Sequence, residues 1–157
     1  MKALAYVGRL EAWAQEELGA QRRLAALLEE QERALSSHRP AQLDDVTVRL
    51  VRELDGRDAR EARRRALFQA VADLENAPRA EVTLGSIVER LGTRGRTLGR
   101  LRDELRRTVS ETETRGRRLA AMARAHRQVM NDILLTALGC EDAEAAERGG
   151  SLVNAEV

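Results

Sequence analysis

The sequence predicts an all-α protein: an elongated antiparallel helical bundle or coiled-coil hairpin with a short connecting helix and a mobile C-terminal tail. Three observations lead to this fold class. Aromatic residues make up only 2 % of the 157 residues. Leu, Ala, Arg and Glu dominate, which is the usage of long amphipathic helices. Apolar residues also return at helical spacing along most of the chain.

A helical hairpin is expected at the N-terminal end. The first pattern covers residues 3 to 37, where apolar residues from Val7 to Leu35 recur at steps of three and four. The segment SSHRP interrupts this pattern, and Pro40 suits the first turn of a new helix. A second helix then follows over about 41 to 76.

The middle of that second helix, DGRDAREARRRA, has no large apolar residue over about three turns. It is therefore expected either to be solvated or to be supported at close approach by Ala59, Ala62 and Ala66. Gly56 is expected to bend the helix. The helix should end before Pro78, because the residue preceding a proline is pushed out of the α region.

A short helix over 84 to 91 and a long helix over 94 to 138 complete the predicted bundle. Thr83 suits the N-cap of the short helix, and Gly92 suits its C-terminal cap. Apolar residues of the long helix follow heptad spacing, which polar residues between Thr108 and Gly116 interrupt. Residues 1–139 are interpreted as one helical-bundle domain, followed by a flexible acidic tail at 140–157.

Charge is balanced overall but unevenly distributed. The formal net charge is +1, while residues 90 to 127 hold twelve arginines against four acidic residues, and residues 141 to 157 are acidic. Such a basic helix could attract nucleic acid, an anionic membrane surface, an acidic partner or the acidic tail itself. No signal peptide and no membrane-spanning run is recognisable, which favours a cytoplasmic protein with no membrane insertion.

The sequence offers little for catalysis. Its single cysteine, Cys140, excludes an internal disulfide and a zinc pattern, and it lacks the cationic surroundings that activate a thiolate. His38 lies beside a turn, and His126 shares the heptad register of Leu119, which predicts a position at the edge of the core. No phosphate-binding loop follows a strand, and Glu29 and its neighbours are interpreted as a solvated face. We expect neither an enzyme nor a cofactor or metal.

Residues 84–105 also fit the spacing of a DNA-reading helix-turn-helix. Gly92 would be its turn residue, and Arg94, Arg96 and Arg100 would face phosphates or guanine edges. Against this interpretation, the reading helix lacks Asn, Gln and Ser at its base-facing positions and continues for about 40 residues. DNA reading is kept as an alternative, and so is a plain coiled-coil scaffold or self-association module.

Over nearly its whole length, the chain resembles the FlgN family of flagellar type III export chaperones. The resemblance lies in the order and spacing of five segments: LLEEQERAL (27–35), LDDVTVRLVRELDGRDAR (43–60), VTLGSIVERL (82–91), LGRLRDELR (98–106) and VMNDILLTALG (129–139). The tail departs from the family, because AERGGS stands where a Tyr and Gly pattern is often found.

The resemblance implies a cytoplasmic chaperone that keeps hook-filament junction proteins soluble and unassembled before type III secretion. It implies no nucleotide and no catalysis, and it makes the flagellar export gate a second candidate partner, while the oligomeric state is left open. The expected binding groove consists of Leu119, Met122, Val129, Met130, Asn131, Ile133, Leu134 and Leu138. The same heptad stripe could instead be the core of the bundle itself.

Overall fold

The computed structural model describes residues 5–138, and this part of the chain contains helices and no strand. Its α-helices are α1 (Val7–Ser36), α2 (Pro40–Asp55), α3 (Arg57–Glu75), α4 (Leu84–Leu91) and α5 (Arg96–Ala137), with 3₁₀ turns at Arg79–Glu81 and Gly92–Gly95. The prediction of an all-α helical bundle is confirmed. The predicted tail at 140–157 lies outside the described residues.

Contacts along the chain divide it into two compact units, residues 1–116 and 117–157, and the division falls within α5. We call residues 5–116 the bundle unit and residues 117–138 the distal helix, and each is described by itself. The single domain expected over residues 1–139 stays a prediction. No helix within residues 5–138 has the length and apolar character needed to cross a membrane.

The predicted hairpin of α1 and α2 is present in the bundle unit. The two helices pack together, with Ala34 and Val46 buried. At the corner, the N–H of His38 donates to the Leu35 carbonyl at 3.3 Å, and the N–H of Arg39 donates to the Ala34 carbonyl at 3.1 Å. His38 has a φ of 52°, so these bonds form the left-handed closure that ends many helices.

At Gly56 the predicted second helix is interrupted and becomes two helices, α2 and α3. The expectation of alanine support in the following segment is wrong, because Ala59, Ala62 and Ala66 are all exposed. Ion pairs join α3 to α1 instead. Arg63 lies 3.0 Å from Glu16 in one of them. The solvated alternative is therefore the one observed.

The largest core cluster of the bundle unit lies where α1, α3, α4 and the start of α5 meet. Its buried members are Leu10, Ala14, Leu67, Phe68, Val71, Ala72, Val82, Ile87 and Leu98. The Trp13 and Phe68 rings pack edge to face, with centroids 5.4 Å apart. Burying each large side chain of this cluster stabilises the fold by about 1.5–3 kcal/mol.

The corner between α4 and α5 is built from capping and close packing. The Ser86 N–H donates to Thr83 Oγ1 at 3.1 Å, and the Thr83 N–H donates to Ser86 Oγ at 3.0 Å, which closes a capping box. Gly92 has a φ of 56°, a conformation that favours glycine. Gly95 is buried so tightly that a Cβ there would lie 2.9 Å from Leu91 Cβ.

Two of the polar residues that were expected to interrupt the apolar stripe of α5 are buried within it. Thr108 and Thr112 are buried, and their hydroxyls donate to the carbonyls of Glu104 and Thr108, at 3.0 Å and 2.8 Å. Each hydroxyl is thus satisfied by its own helix four residues back, so it can be buried without a partner from another helix. The packed face of α5 therefore continues through these threonines.

Candidate partner-binding face

The predicted binding residues lie on the distal helix. With 100° between successive residues, the apolar ones fall on about one half of the helix circumference. We call this set the apolar face: Leu119, Met122, Val129, Met130, Ile133, Leu134 and Leu138. Asn131 is exposed beside it. Helical spacing therefore brings the predicted apolar residues together, as the sequence indicated.

Exposure rises along the apolar face towards its C-terminal end. Leu119 is buried with 8 % exposed, Met122 is half-buried, Ile133 is 55 % exposed and Leu138 is 74 % exposed. Each of the five members from Val129 onward is among the exposed large apolar residues of the described chain. Leu119 is thus buried, whereas this later part of the apolar face is not. A groove needs a second wall, so the groove stays a prediction.

Leu135 extends the exposed apolar surface to the opposite side of the distal helix, with 42 % of it exposed. Sequence reasoning did not place it among the binding residues, although the run ILLTAL contains it. A helix that is apolar around most of its circumference is usually buried. The last turns of the distal helix thus have an amino-acid composition typical of a buried helix, although their apolar side chains are exposed.

The polar part of the distal helix is basic. It carries four arginines and one acidic residue, Asp132, for a net charge of +3 with His126 neutral. Asp132 Oδ1 accepts from Gln128 at 2.9 Å. Arg124 and Arg127 are exposed and make neither an ion pair nor a side-chain hydrogen bond with any residue of the described range.

Arginines of the bundle unit are placed differently, because many of them pair with carboxylates of other helices. Arg23 on α1 lies 3.1 Å from Glu53 on α2. Arg115 on α5 lies 2.8 Å from Glu29 on α1, and this hydrogen bond, with the positive charge, holds the pKa of the Glu29 carboxyl below its usual value. Glu29 is therefore exposed, as expected of a solvated face, and it also connects α1 with α5.

A cavity of about 360 Å³ in the bundle unit is lined by residues of α1, α2, α3 and α5. Its charged groups engage one another, since Arg60 lies 3.4 Å from Glu53 and 3.8 Å from Glu17. The indole Nε1 of Trp13, another lining residue, is buried and has no hydrogen-bond partner among the described residues. Within residues 5–138, no group of three or more His, Cys, Asp or Glu side chains is arranged to hold a metal ion.

The residues of the helix-turn-helix alternative lie on the surface of the α4–α5 corner. Arg94 belongs to the 3₁₀ turn, and Arg96 and Arg100 belong to the first turns of α5, all three exposed. The helix that would read DNA is 42 residues long. His126 is exposed, so its expected position at the edge of the core is wrong. Cys140 lies outside the described residues.

Comparison with known proteins does not identify a family for this chain. No protein-family model matches this sequence, and neither a curated protein nor a solved structure is significantly similar to it. The chain is therefore classed as an all-α helical bundle, and the FlgN-like resemblance is carried only by the order and spacing of its segments.

Proposed function

We propose that this chain is a binding protein that holds an amphipathic segment of another protein against the apolar face. More specifically, we propose a FlgN-like cytoplasmic export chaperone, with hook-filament junction proteins as its clients and with no catalysis of its own. The observation that carries the proposal is the exposure of the apolar face from Val129 to Leu138. Soluble monomers seldom expose a contiguous apolar surface of this kind unless it binds something.

The chemistry of the apolar face suits a helical client. An amphipathic segment that is disordered when free can fold as a helix on such a face and bury the apolar side that would otherwise aggregate. Burial supplies roughly 25 cal/mol for each Å² of apolar surface removed from water, from which the cost of ordering the client is subtracted. Met122 and Met130 have flexible, polarisable side chains that adapt to clients of different shape.

Two pairs of equally exposed residues provide the test. Val129 and Ile133 on the apolar face are 54 % and 55 % exposed, and Val48 and Val51 on α2 are 56 % and 53 % exposed. Tagged wild type, Val129→Ser/Ile133→Ser and the control Val48→Ser/Val51→Ser would be expressed in flagellated cells and captured, with and without nuclease. Bound proteins would then be identified by mass spectrometry.

We expect wild type and the α2 control to retain a hook-filament junction protein in both nuclease conditions, and the Val129/Ile133 variant to lose it. Equal retention by all three proteins would remove the apolar face as the binding site. Capture of nucleic acid alone, lost on nuclease treatment, would support the helix-turn-helix interpretation at Arg94, Arg96 and Arg100 instead. A stable dimer without any client would support the scaffold alternative.

A further inference from the structure

We infer that the segment held by the apolar face is acidic: an amphipathic helix with Asp and Glu side chains on the flanks of its apolar stripe. This inference rests on the proposed function, because it names the charge of the segment bound at the same face. It goes beyond that function by stating which amphipathic helices the face selects and which it rejects.

Arg127 of the distal helix lies on the same side as two members of the apolar face. Arg127 precedes Met130 by three residues and Leu134 by seven, so all three lie on one side of the distal helix. Residues three apart on a helix have their Cβ atoms about 5–6 Å from each other. A helix packed on Met130 and Leu134 therefore brings its own flanking residues close to the Arg127 guanidinium.

Arg124 and Arg127 differ in their pairing from many arginines of the bundle unit. Bundle-unit arginines such as Arg23 and Arg115 already have carboxylate partners on other helices. Arg124 and Arg127 have none within residues 5–138. A client with neutral or basic flanks would partly desolvate these guanidinium groups without compensation, whereas carboxylates would form charge-assisted hydrogen bonds with them. Repulsion of clients with basic flanks thus adds to the attraction of clients with acidic flanks.

A second copy of the distal helix fits the apolar face poorly. Two such helices packed together would combine eight arginines with two aspartates, the doubled content of residues 117–138. Like charges brought together at an interface repel each other, and burial strengthens the repulsion. The charge of the distal helix thus favours an acidic partner over self-association through this face.

An anionic membrane surface is the other class of partner that attracts basic amphipathic helices. Trp and Tyr are the residues enriched at the membrane–water interface, and the distal helix contains no aromatic residue. Tyr6, Trp13 and Phe68, the aromatic residues of the whole sequence, all belong to the bundle unit. We therefore favour a protein segment and include vesicles in the test.

The part of the apolar face beyond the buried Leu119 sets the size of the probe. Met122 and Leu138 are sixteen residues apart, which spans about 24 Å at about 1.5 Å per residue. Two synthetic amphipathic peptides of about 18 residues would share one apolar pattern of Leu and Ala at helical spacing. One would carry Glu at every flanking position and the other Lys, each with a fluorescein label, and binding to the full chain would be followed by anisotropy.

We expect the Glu peptide to bind at least about tenfold more tightly than the Lys peptide at about 50 mM salt. The preference should shrink at about 500 mM salt, since screening weakens exposed charge pairs. Arg124→Glu/Arg127→Glu should abolish or reverse it. The matched control is Arg100→Glu/Arg106→Glu, two exposed arginines of the same helix in the bundle unit that have no ion pair within the described range. This control should keep the preference.

Each other outcome overturns a defined part of the proposal. Equal binding of both peptides, lost in Val129→Ser/Ile133→Ser, would overturn the acidic inference and leave the proposed function standing. A Glu preference that survives in the Arg124/Arg127 variant would refute selection by those arginines. Binding of neither peptide would overturn both proposals. So would binding only to vesicles of phosphatidylcholine and phosphatidylglycerol.

Discussion

The two isoleucines of this chain occupy opposite surroundings. Ile87 of the bundle unit is 1 % exposed and belongs to the core cluster, while Ile133 of the distal helix is 55 % exposed. Charged residues differ in the same way, since Arg115 has a carboxylate partner and Arg127 has none within the described residues. Ile87 and Arg115 are thus engaged within the bundle unit, where their side chains contribute to stability, whereas Ile133 and Arg127 have neither cover nor an ionic partner within the described residues.

The largest expected effect is a difference in stability between alanine variants of the two isoleucines. Ile87→Ala should lower the free energy of unfolding by about 2–5 kcal/mol, because it removes buried methyl groups and leaves a cavity. Ile133→Ala should change it by less than about 0.5 kcal/mol, as exposed substitutions usually do. Urea unfolding followed by circular dichroism at 222 nm measures both changes.

The binding readout should show the reverse order. Client capture should fall for Ile133→Ala and persist for Ile87→Ala at a temperature where that variant is folded. A loss of stability at Ile133 comparable to that at Ile87 would mean that the apolar face is covered within the chain. The assignment of binding to the distal helix would then fail.

Two glycines sharpen the comparison at a smaller scale. A Cβ at Gly95 would lie 2.9 Å from Leu91 Cβ and 3.2 Å from the Val88 carbonyl, whereas a Cβ at Gly116 would meet no atom within 4 Å outside its own stretch of helix. Gly95→Ala should therefore cost about 1–3 kcal/mol through overpacking of the α4–α5 corner. Gly116→Ala should stabilise α5 by about 0.5–1 kcal/mol.

Thermal unfolding of the two alanine variants beside wild type checks the opposite signs. A gain in stability for Gly95→Ala would show that α4 and α5 do not pack as closely as described. A loss for Gly116→Ala would indicate a contact at that position that the described residues do not contain.

Much of the fold follows from the sequence, because helix boundaries are local. Pro40, Thr83 and Gly92 act on their own turns, and each marks a helix end that the structure contains. The break at Gly56 is also local, although its full extent depends on how α2 and α3 pack. Gly95 escaped prediction because its role depends on the approach of Leu91 across the corner, which periodicity does not encode.

The candidate face was only partly predictable for a similar reason. Helical spacing identifies which side chains share a face, and so it grouped Met130 with Ile133. Spacing does not say whether that face is covered, since burial depends on residues distant in sequence. For the same reason the sequence predicts the exposure of Glu29, which the structure contains, but not its pairing with Arg115, 86 positions later in the chain.

The smallest expected effect concerns that ion pair, in which the Glu29 side chain is exposed and the Arg115 side chain is half-buried. Arg115 holds the pKa of the Glu29 carboxyl below its usual value. A carboxyl with a lowered pKa in the folded state contributes stability above its unfolded pKa, and this contribution is lost as pH falls through the folded pKa. The pair should therefore stabilise the bundle unit at about pH 7 and lose this effect progressively as pH falls below the usual range of a carboxyl pKa.

A double-mutant cycle of Glu29→Gln and Arg115→Met, measured by urea unfolding over this pH range, isolates this coupling. Added salt should weaken the coupling at about pH 7, because the Glu29 carboxylate is exposed.

Arg127→Met is the matched control on the distal helix, and its effect on stability should not depend on pH, since Arg127 has no carboxylate partner within the described range. If the Glu29 and Arg115 coupling stayed the same over this pH range, the ionised carboxylate would not be its source. A pH-dependent effect of Arg127→Met would instead reveal an acidic partner within the chain, and the distal helix would no longer differ from the bundle unit in its charges.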